Sequence, residues 1–242
     1  MYFNPWMWGM HMDSNILTYL IIAMVIPLMA QGYLMSTFGK YKRAQTSSGL
    51  TGYEVARRML DRNGLHDVQI QKTNGRLSDH YDPRTKTVRL SPEIYSVSSI
   101  AAVSVAAHEV GHAIQHAQNY IPLKLRSSLV PVISIANRFG MIAIFAGIMF
   151  EQFFIAEIGI IMIASLFIFQ LITLPVEFNA STRALSQMND MNILYDNREK
   201  HGARKVLTAA ALTYVASLIV TLMELLRWVA ILSNSRNRGR RN

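Results

Sequence analysis

Residues 98–119 read SSIAAVSVAAHEVGHAIQHAQN, and the rest of the chain is interpreted outward from this stretch. Small apolar residues fill its first half, and Ser98 or Ser99 stands where the N-cap of a helix is expected. His108 and His112 are four residues apart, so on a helix both imidazoles lie on one face and can reach one metal ion. The stretch therefore predicts a buried helix, from about residue 98 to about residue 119, with a metal-binding face.

Glu109 follows the first of these histidines and completes the pattern H-E-x-x-H. This pattern can hold Zn²⁺ with two imidazoles and place a carboxylate beside the metal as a general base. His108 and His112 are therefore candidate zinc ligands, and Glu109 is the candidate base. Because the chain has no cysteine, zinc would have to be held by histidine and carboxylate groups. The alternative is a buried helix with two hydrogen-bonded core histidines.

The composition is that of a membrane protein rather than a soluble domain. Hydrophobic residues make up 51% of the 242 residues, and the mean hydropathy is +0.19. A helix of about 20 apolar residues crosses a hydrocarbon core, and the chain has three such runs and a weaker fourth, in this order: Ile16 to Met35, Phe153 to Leu174, Val206 to Leu232 and Leu129 to Phe150. The sequence predicts a mainly α integral membrane protein with three or four transmembrane helices.

The basic residues indicate how the chain is oriented. The formal net charge is +9, and Lys40, Lys42 and Arg43 follow the first apolar run. The positive-inside rule places the loop that they begin in the cytoplasm. A final span at 206–232 would carry the basic tail outside, against this rule, so a re-entrant or surface helix is an open alternative there. No nucleic-acid motif accompanies the charge, so we expect no nucleic-acid partner.

These features divide the chain into five segments, with a small zincin-like α+β catalytic region on the cytoplasmic side. The segments are 1–39, with the first transmembrane helix; 40–128, an α+β insert with the H-E-x-x-H helix; 129–174, a membrane hairpin; 175–205, a second cytoplasmic segment; and 206–242, a final hydrophobic helix with a basic tail. The hairpin tip at residues 151–152 has no Lys or Arg, as expected of an external turn.

The insert 40–128 shows one further helix and two strands. Thr51 and Glu54 form a capping-box pattern, which predicts a helix from Thr51 to Asn63. Two stretches alternate polar and apolar residues as half-buried strands do, namely 67–72 and 87–90. Residues 73–85 between them are rich in turn formers. We expect one of the two strands to be a sheet edge that an extended peptide could join.

Two histidines require a third protein ligand to make a catalytic zinc site. His116 lies one turn beyond His112, but ligands on one straight helix cannot surround a metal, so His116 is interpreted as a neighbour of the site or a surface residue. Glu177 is the better candidate. Pro175 before it is expected to end the membrane helix or to begin a new one. From the residues alone, a ligand and a solvated first-turn glutamate are equally good interpretations of Glu177.

Four blocks of sequence resemble a known family. The blocks are TGYEVA at 51–56, LSDHYDP at 77–83, AAHEVGHAIQ at 106–115 and LPVEFNAS at 174–181. In this combination and order, the chain resembles the YugP-like family of membrane-bound neutral zinc metallopeptidases. The resemblance implies a membrane zinc peptidase with a polypeptide substrate, in a bacterial cytoplasmic membrane, and it implies Glu177 as the third zinc ligand.

The chain is also distantly similar to membrane gluzincins of the HtpX and CAAX-protease type. Those proteins place a membrane hairpin between H-E-x-x-H and a later E-x-x-A-D, whose Asp orients a zinc-bound histidine. The position of that Asp is held here by Ser181, whose hydroxyl is a weaker partner. His80 and Tyr81 are further candidates for stabilising an oxyanion, because polar residues cluster at 79–82, although such a cluster is also typical of a tight turn.

We therefore expect a membrane-embedded zinc endopeptidase that acts on membrane or membrane-proximal polypeptides. One alternative is a non-catalytic zinc-containing membrane scaffold or quality-control partner, in which His116 would close the site as a fourth ligand. A transporter is a second alternative, suggested by charged residues within the apolar runs. The absence of an internal repeat in the sequence argues against it.

Overall fold

The computed structural model describes residues 14–75 and 77–239. Within them the chain is mostly helical, with one three-stranded sheet. The elements in chain order are α1 Ser14–Lys42, α2 Gly52–Arg62, β1 Gln69–Lys72, β2 His80–Asp82, β3 Thr87–Leu90, α3 Pro92–Tyr95, α4 Ile100–Ala117, α5 Ile121–Met149, α6 Phe153–Asp190 and α7 Asn197–Gly239. Residues 1–13 of the predicted N-terminal segment, and Arg240 and Arg241 of the predicted tail, lie outside the described residues.

Four helices in the described part of the chain are long and apolar enough to cross a membrane. Their candidate spans are Leu17–Lys42 in α1, Ile121–Met149 in α5, Phe153–Asp190 in α6 and Asn197–Asn234 in α7. Large apolar side chains on them are exposed, among them Met29, Ile142 and Ile161. Surfaces of this kind suit contact with lipid rather than with water. The architecture agrees with the prediction of a mainly α membrane protein.

Helices α5 and α6 form a closely packed hairpin around the turn at residues 150–152. A Cβ added at Gly159 would lie 2.6 Å from the carbonyl oxygen of Gly140, and one at Gly147 would collide with the backbone of Ala156. Lipid gives helices no hydrophobic reason to associate, so close approach through small residues stabilises such pairs.

Helix α6 continues without interruption through Pro175. The prediction that Pro175 ends one helix or begins another is therefore wrong. A proline removes one backbone N–H and crowds the preceding turn, but Val176 and Ala180 are completely buried, so tertiary packing outweighs the local preference. Glu177 is consequently interior to a helix and 3% exposed, which excludes its interpretation as a solvated first-turn residue.

Helix α7 is also continuous, without the break that a re-entrant segment would require, and it contains the candidate span Asn197–Asn234. Near its end, Arg236 forms an ion pair of 2.5 Å with Glu157, close to the start of α6. Glu157 and Glu177 are separated by roughly 30 Å along α6, at 1.5 Å per residue. The end of α7 therefore lies with the α5–α6 turn, at the opposite end of the bundle from Glu177.

The polar insert contains the predicted capped helix. The hydroxyl oxygen of Thr51 accepts a hydrogen bond from the backbone N–H of Glu54, at 3.3 Å. The carboxylate of Glu54 accepts one from the backbone N–H of Thr51, at 2.8 Å. This reciprocal arrangement confirms the predicted capping box and fixes the start of α2.

The sheet has the order β1-β3-β2, with β1 parallel and β2 antiparallel to β3. The first and third strands lie within the predicted stretches 67–72 and 87–90. Residues 80–82, predicted as part of a turn-rich stretch, form the edge strand β2 instead, because the ion pair of Asp82 with Arg89 holds them against β3. The central position of β3 excludes it as a free edge for a peptide. Strand β1, from the stretch 67–72, is one edge of the sheet, as predicted for one of the two stretches. Strand β2 is the other edge, and it contacts α4.

Helix α4 is the centre of the polar region. Its N-cap is Ser99, whose hydroxyl oxygen accepts a hydrogen bond from the backbone N–H of Ala102 at 3.2 Å. Small residues on α4, including Ala106 and Ala107, are completely buried. Their size lets α2, α6 and α7 pack directly on α4, and this packing brings the H-E-x-x-H face against α6.

Candidate metal centre

His108 and His112 project from one face of α4, as their spacing predicts. Their ring centroids are 4.7 Å apart and the rings are nearly perpendicular, at 84°. Opposite them, Oε2 of Glu177 lies 3.2 Å from Nε2 of His108 and 3.6 Å from Nε2 of His112. The structure thus brings together three candidate ligands from two helices.

The three groups fit a zinc ion in both chemistry and spacing. One ligand atom from each residue lies within 4.8 Å of the other two. Tetrahedral ligands at about 2.0–2.2 Å from Zn²⁺ are roughly 3.4 Å from one another, close to the two distances measured from Glu177. Two imidazole nitrogens and one carboxylate oxygen are also a usual donor set for catalytic zinc.

Each imidazole is oriented by a hydrogen bond at its other nitrogen. Nδ1 of His112 lies 3.0 Å from Oε1 of Gln115, and Nδ1 of His108 lies 3.2 Å from the hydroxyl of Ser181. These bonds turn both Nε2 atoms towards Glu177. Such partners fix ring orientation and strengthen metal binding. In the distantly similar gluzincins, the residue at the position of Ser181 orients a zinc-bound histidine, which is the contact that Ser181 makes with His108 here.

Gln115 is a residue of the site that sequence reasoning missed. It is completely buried, and its amide nitrogen donates hydrogen bonds to the backbone oxygen of Val176 at 2.9 Å and to Oδ1 of Asn179 at 3.0 Å. Gln115 therefore joins His112 to the turn of α6 that carries Glu177. The sequence signal that could have identified Gln115 is its position three residues after His112, on the same helical face.

Arg126, on α5, is a second missed residue. Its Nη1 donates a hydrogen bond of 2.8 Å to Oε1 of Glu177. The guanidinium occupies one carboxylate oxygen, so the other oxygen remains directed at the two histidines. The separation of 51 positions between Arg126 and Glu177 leaves no local signal for this contact.

The ligands can meet only because α4 and α6 approach closely. Gly111 lies between the two histidines in sequence, and a Cβ there would be 2.6 Å from the carbonyl oxygen of Ala180. Glycine at this position brings the two backbones together, so the imidazoles on α4 reach the carboxylate on α6.

Glu109 lies beside the three ligands and lines a cavity of about 170 Å³. Its side chain has no hydrogen-bond partner among the described residues, although the residue is only 8% exposed. Asp79, Ser181 and Tyr214 add polar groups to the cavity wall, and the rest of the lining is mainly apolar. A buried carboxylate that opens into a cavity beside a metal site is well placed to exchange protons there.

Charges across the site affect the pKa values of two of its groups. The pKa of Asp79 is raised, mainly by burial and also by the charge of Glu109. Hydrogen bonds from the backbone and the hydroxyl of Ser91 lower this pKa but do not cancel the effect. Burial lowers the pKa of His112, but the hydrogen bond and charge of Glu177 and the charge of Glu109 outweigh it, so the net shift is upward. Without a metal, the carboxylates therefore favour a proton on His112.

The structure places three other predicted site residues away from the three ligands. The hydroxyl of Tyr81 lies 2.9 Å from Nδ1 of His116, and His116 is not part of the ligand group. Burial raises the pKa of Tyr81 to about 12, so its hydroxyl stays protonated and can donate to the imidazole. His80 is exposed and lies 2.8 Å from the backbone oxygen of Ser78. None of the three residues lines the cavity.

Known proteins resemble this chain over most of its length. Residues 16–233 match the family described as "Putative neutral zinc metallopeptidase". The chain is 46% identical over 217 residues to the "Putative membrane protease YugP" of Bacillus subtilis (strain 168), covering 90% of this chain and 96% of that protein. No solved structure is significantly similar to the chain. The resemblance inferred from the four sequence blocks is confirmed, and the chain belongs to this family of neutral zinc metallopeptidases.

Proposed function

We propose that the protein is a membrane-embedded zinc endopeptidase in which His108, His112 and Glu177 hold Zn²⁺ and Glu109 is the general base. The observation that carries this proposal is the convergence of three ligand atoms beside the cavity that Glu109 lines. A catalytic zinc site typically has three protein ligands and an open position for water. The family assignment supports the same chemistry.

The proton transfers are assigned to Glu109. Bound zinc would lower the pKa of a water molecule towards ~7 and polarise the scissile carbonyl. The carboxylate of Glu109 accepts a proton from water as the water oxygen attacks the carbonyl carbon. It then delivers that proton to the amide nitrogen as the C–N bond breaks.

Tyr214 is the best candidate to stabilise the developing oxyanion. Two neutral hydroxyl groups line the cavity, those of Ser181 and Tyr214. The hydroxyl of Ser181 is bonded to His108. The phenol of Tyr214 interacts with the carboxylate of Glu177, and it therefore lies beside the candidate metal ligands, where it can donate a hydrogen bond to the substrate oxygen. Sequence reasoning missed Tyr214 because it lies inside a long apolar run, where tyrosine is common at membrane interfaces.

The proposed substrates are membrane or membrane-proximal polypeptides. Candidate spans contribute directly to the cavity wall, with Leu34 and Phe38 from α1 and Ala210 from α7. An apolar wall at this position favours an apolar substrate segment over a hydrated one. The proposed environment of the protein is accordingly a lipid bilayer.

The proposed location is a bacterial cytoplasmic membrane, with the zincin-like catalytic region of segments 40–128 and 175–205 facing the cytoplasm. Lys40 and Lys42 end α1 on the side of the bundle that carries α4, which supports this orientation by the positive-inside rule. The basic tail at the other end of the bundle runs against this rule, but Glu157 pairs with Arg236 there and neutralises part of its positive charge.

The alternative of a zinc-containing scaffold has less support. A closed structural site requires a fourth protein ligand, and His116 was the candidate. Its Nδ1 is hydrogen-bonded to Tyr81 instead. The three-ligand group also opens onto a cavity, which a purely structural site does not need.

The test compares the wild-type protein with Glu109→Gln in detergent, measuring zinc content and peptide hydrolysis. We expect about one zinc in both proteins and a hydrolysis rate at least 10²-fold lower in the variant, the size of a general-base contribution. His80→Ala is the control, because His80 does not line the cavity, and it should leave both quantities unchanged. Full activity of Glu109→Gln would exclude Glu109 as the base.

A further inference from the structure

A second cavity continues from the metal centre towards the polar end of the bundle. This groove lies between α6 and α7 and has a volume of about 430 Å³. Ser181, Leu207 and Ala211 line both the groove and the cavity that contains Glu109. The groove therefore adjoins the cavity beside the candidate metal ligands, within reach of a polypeptide that is held there.

The groove changes in character along its length. Near the metal centre its floor includes Leu185 and Leu207, whereas Ser186 and Asn189 line its outer end. Arg204 stands at that end, on α7, and is exposed. No hydrogen bond or ion pair joins Arg204 to another described residue, so its guanidinium is available to a ligand.

We infer that the α6–α7 groove is the subsite for one side of the polypeptide substrate, and that Arg204 binds an acidic substrate side chain there. This inference rests on the proposed peptidase function. The occupant is the substrate itself, because the groove adjoins the cavity beside the metal ligands and shares Ser181, Leu207 and Ala211 with it. A carboxylate complements the charge and the planar geometry of the guanidinium.

Helix geometry gives the position of the selected residue. Arg204 precedes Ala211 by seven residues in α7, which corresponds to roughly 10 Å at 1.5 Å per residue. An extended peptide covers about 3.3 Å per residue. The acidic side chain should therefore lie about three residues from the scissile bond, on whichever side of that bond enters the groove.

Another part of the cavity wall comes from the segment before the edge strand β2. Leu77 and Asp79 line the cavity, and Asp79 directly precedes β2. A substrate that passes from this edge, past the metal ligands and into the α6–α7 groove would be held on both sides of its scissile bond. Such a path suits cleavage within a chain rather than at its end.

The test uses matched peptides with Glu, Gln or Lys at the third position on either side of the cleaved bond. For one side, the wild-type protein should cleave the Glu peptide with a kcat/KM about three to five times that of the Lys peptide, the effect of a partly exposed ion pair. The difference should lie in KM, because Arg204 is remote from the reacting atoms, and should shrink at high salt. Arg204→Glu should reverse the preference.

Lys205→Glu is the matched control, because it makes the same charge change at the next residue, which does not line the groove. An unchanged preference in Arg204→Glu, with peptide cleavage intact, overturns the inference and leaves the peptidase proposal standing. A second outcome also contradicts the inference. If Arg204→Glu leaves the peptide preference unchanged but weakens the preference of the protein for anionic over neutral lipid in nanodiscs, Arg204 contacts lipid rather than substrate.

A failure of the peptidase proposal gives a distinct result. If the wild-type protein cleaves none of the peptides, their binding to the zinc-loaded Glu109→Gln protein is measured by fluorescence anisotropy. Tighter binding of the Glu peptide, reversed by Arg204→Glu but not by Lys205→Glu, supports the groove independently of turnover. Equal binding of the Glu and Lys peptides contradicts it.

Discussion

Gly111 of α4 lies directly against the backbone of α6 at Ala180. A Cβ at Gly111 would be 2.6 Å from the carbonyl oxygen of Ala180 and 3.2 Å from its Cα. Ala180 follows Glu177 by three residues, slightly less than one turn, and directly precedes Ser181. The contact therefore sets how far the two histidines of α4 lie from Glu177 and Ser181 on α6.

Gly111→Ala is expected to weaken zinc binding and to destabilise the fold. The added methyl group meets backbone rather than a flexible side chain, so the helices must separate, and overpacking of this kind costs about 1–3 kcal/mol. The better helix propensity of alanine offsets at most about 1 kcal/mol of that. Metal–ligand distances tolerate only about 0.2 Å, so zinc affinity should fall by at least tenfold.

Thermal unfolding and zinc competition with a chelator measure these two effects. Gly39→Ala is the matched control, because a Cβ at Gly39 has no described atom within 4 Å. It should leave zinc affinity unchanged and raise stability by at most about 1 kcal/mol, through the better helix propensity of alanine. Wild-type zinc affinity in Gly111→Ala would show that the helix contact does not set the ligand geometry.

Arg126→Gln is expected to lower zinc affinity while the protein remains folded. The variant removes the charged donor that holds Oε1 of Glu177, so the carboxylate gains freedom to rotate away from the histidines. Loss of an outer partner of a metal ligand typically costs 10–100-fold in metal affinity or activity. Chelator competition measures the loss, and Lys124→Gln is the control, since Lys124 is a neighbouring exposed cation on α5. Equal affinity in both variants would contradict the assigned role.

The sequence predicted the parts of this site that depend on local spacing. The histidines on α4 are four residues apart, and Thr51 and Glu54 are three apart, so helix geometry alone brings each pair together. Glu177 lies 69 residues from His108, and the resemblance, not the spacing, selected it. Arg126 and Tyr214 have no local relation to the ligands, and only the packing of α5 and α7 reveals them.

Two local rules failed where contacts from outside the segment opposed them. Turn-forming residues at 79–83 predicted a turn, but Arg89 on β3 pairs with Asp82 and stabilises a strand. Pro175 predicted a helix boundary, but α6 continues because buried neighbours pack it against the rest of the bundle. In both cases the deciding partner lies outside the segment to which the local rule applies, seven residues away for Asp82 and on other helices for Pro175.

Tyr214→Phe tests the proposed oxyanion donor. The variant keeps the aromatic ring and removes the hydroxyl, so in protein saturated with zinc we expect kcat to fall by about 10²–10³, with KM little changed. The control is Tyr195→Phe, because Tyr195 is 63% exposed and does not line the cavity. Steady-state peptide hydrolysis separates kcat from KM, and a kcat equal to that of wild type would exclude the phenol from the reaction.

Acid is expected to destabilise the edge strand β2. The hydrogen bond from Arg89, with a smaller contribution from Thr85, lowers the pKa of Asp82 from its ordinary 3.8 to about 2. Because the folded-state pKa is the lower one, this carboxylate stabilises the fold fully above about pH 4, and the contribution disappears as the pH falls towards about 2. Denaturant unfolding of the zinc-free protein between pH 7 and pH 2 measures it. Wild type should lose more stability over the acid part of this range than Asp82→Asn, and parallel curves for the two proteins would contradict the assignment.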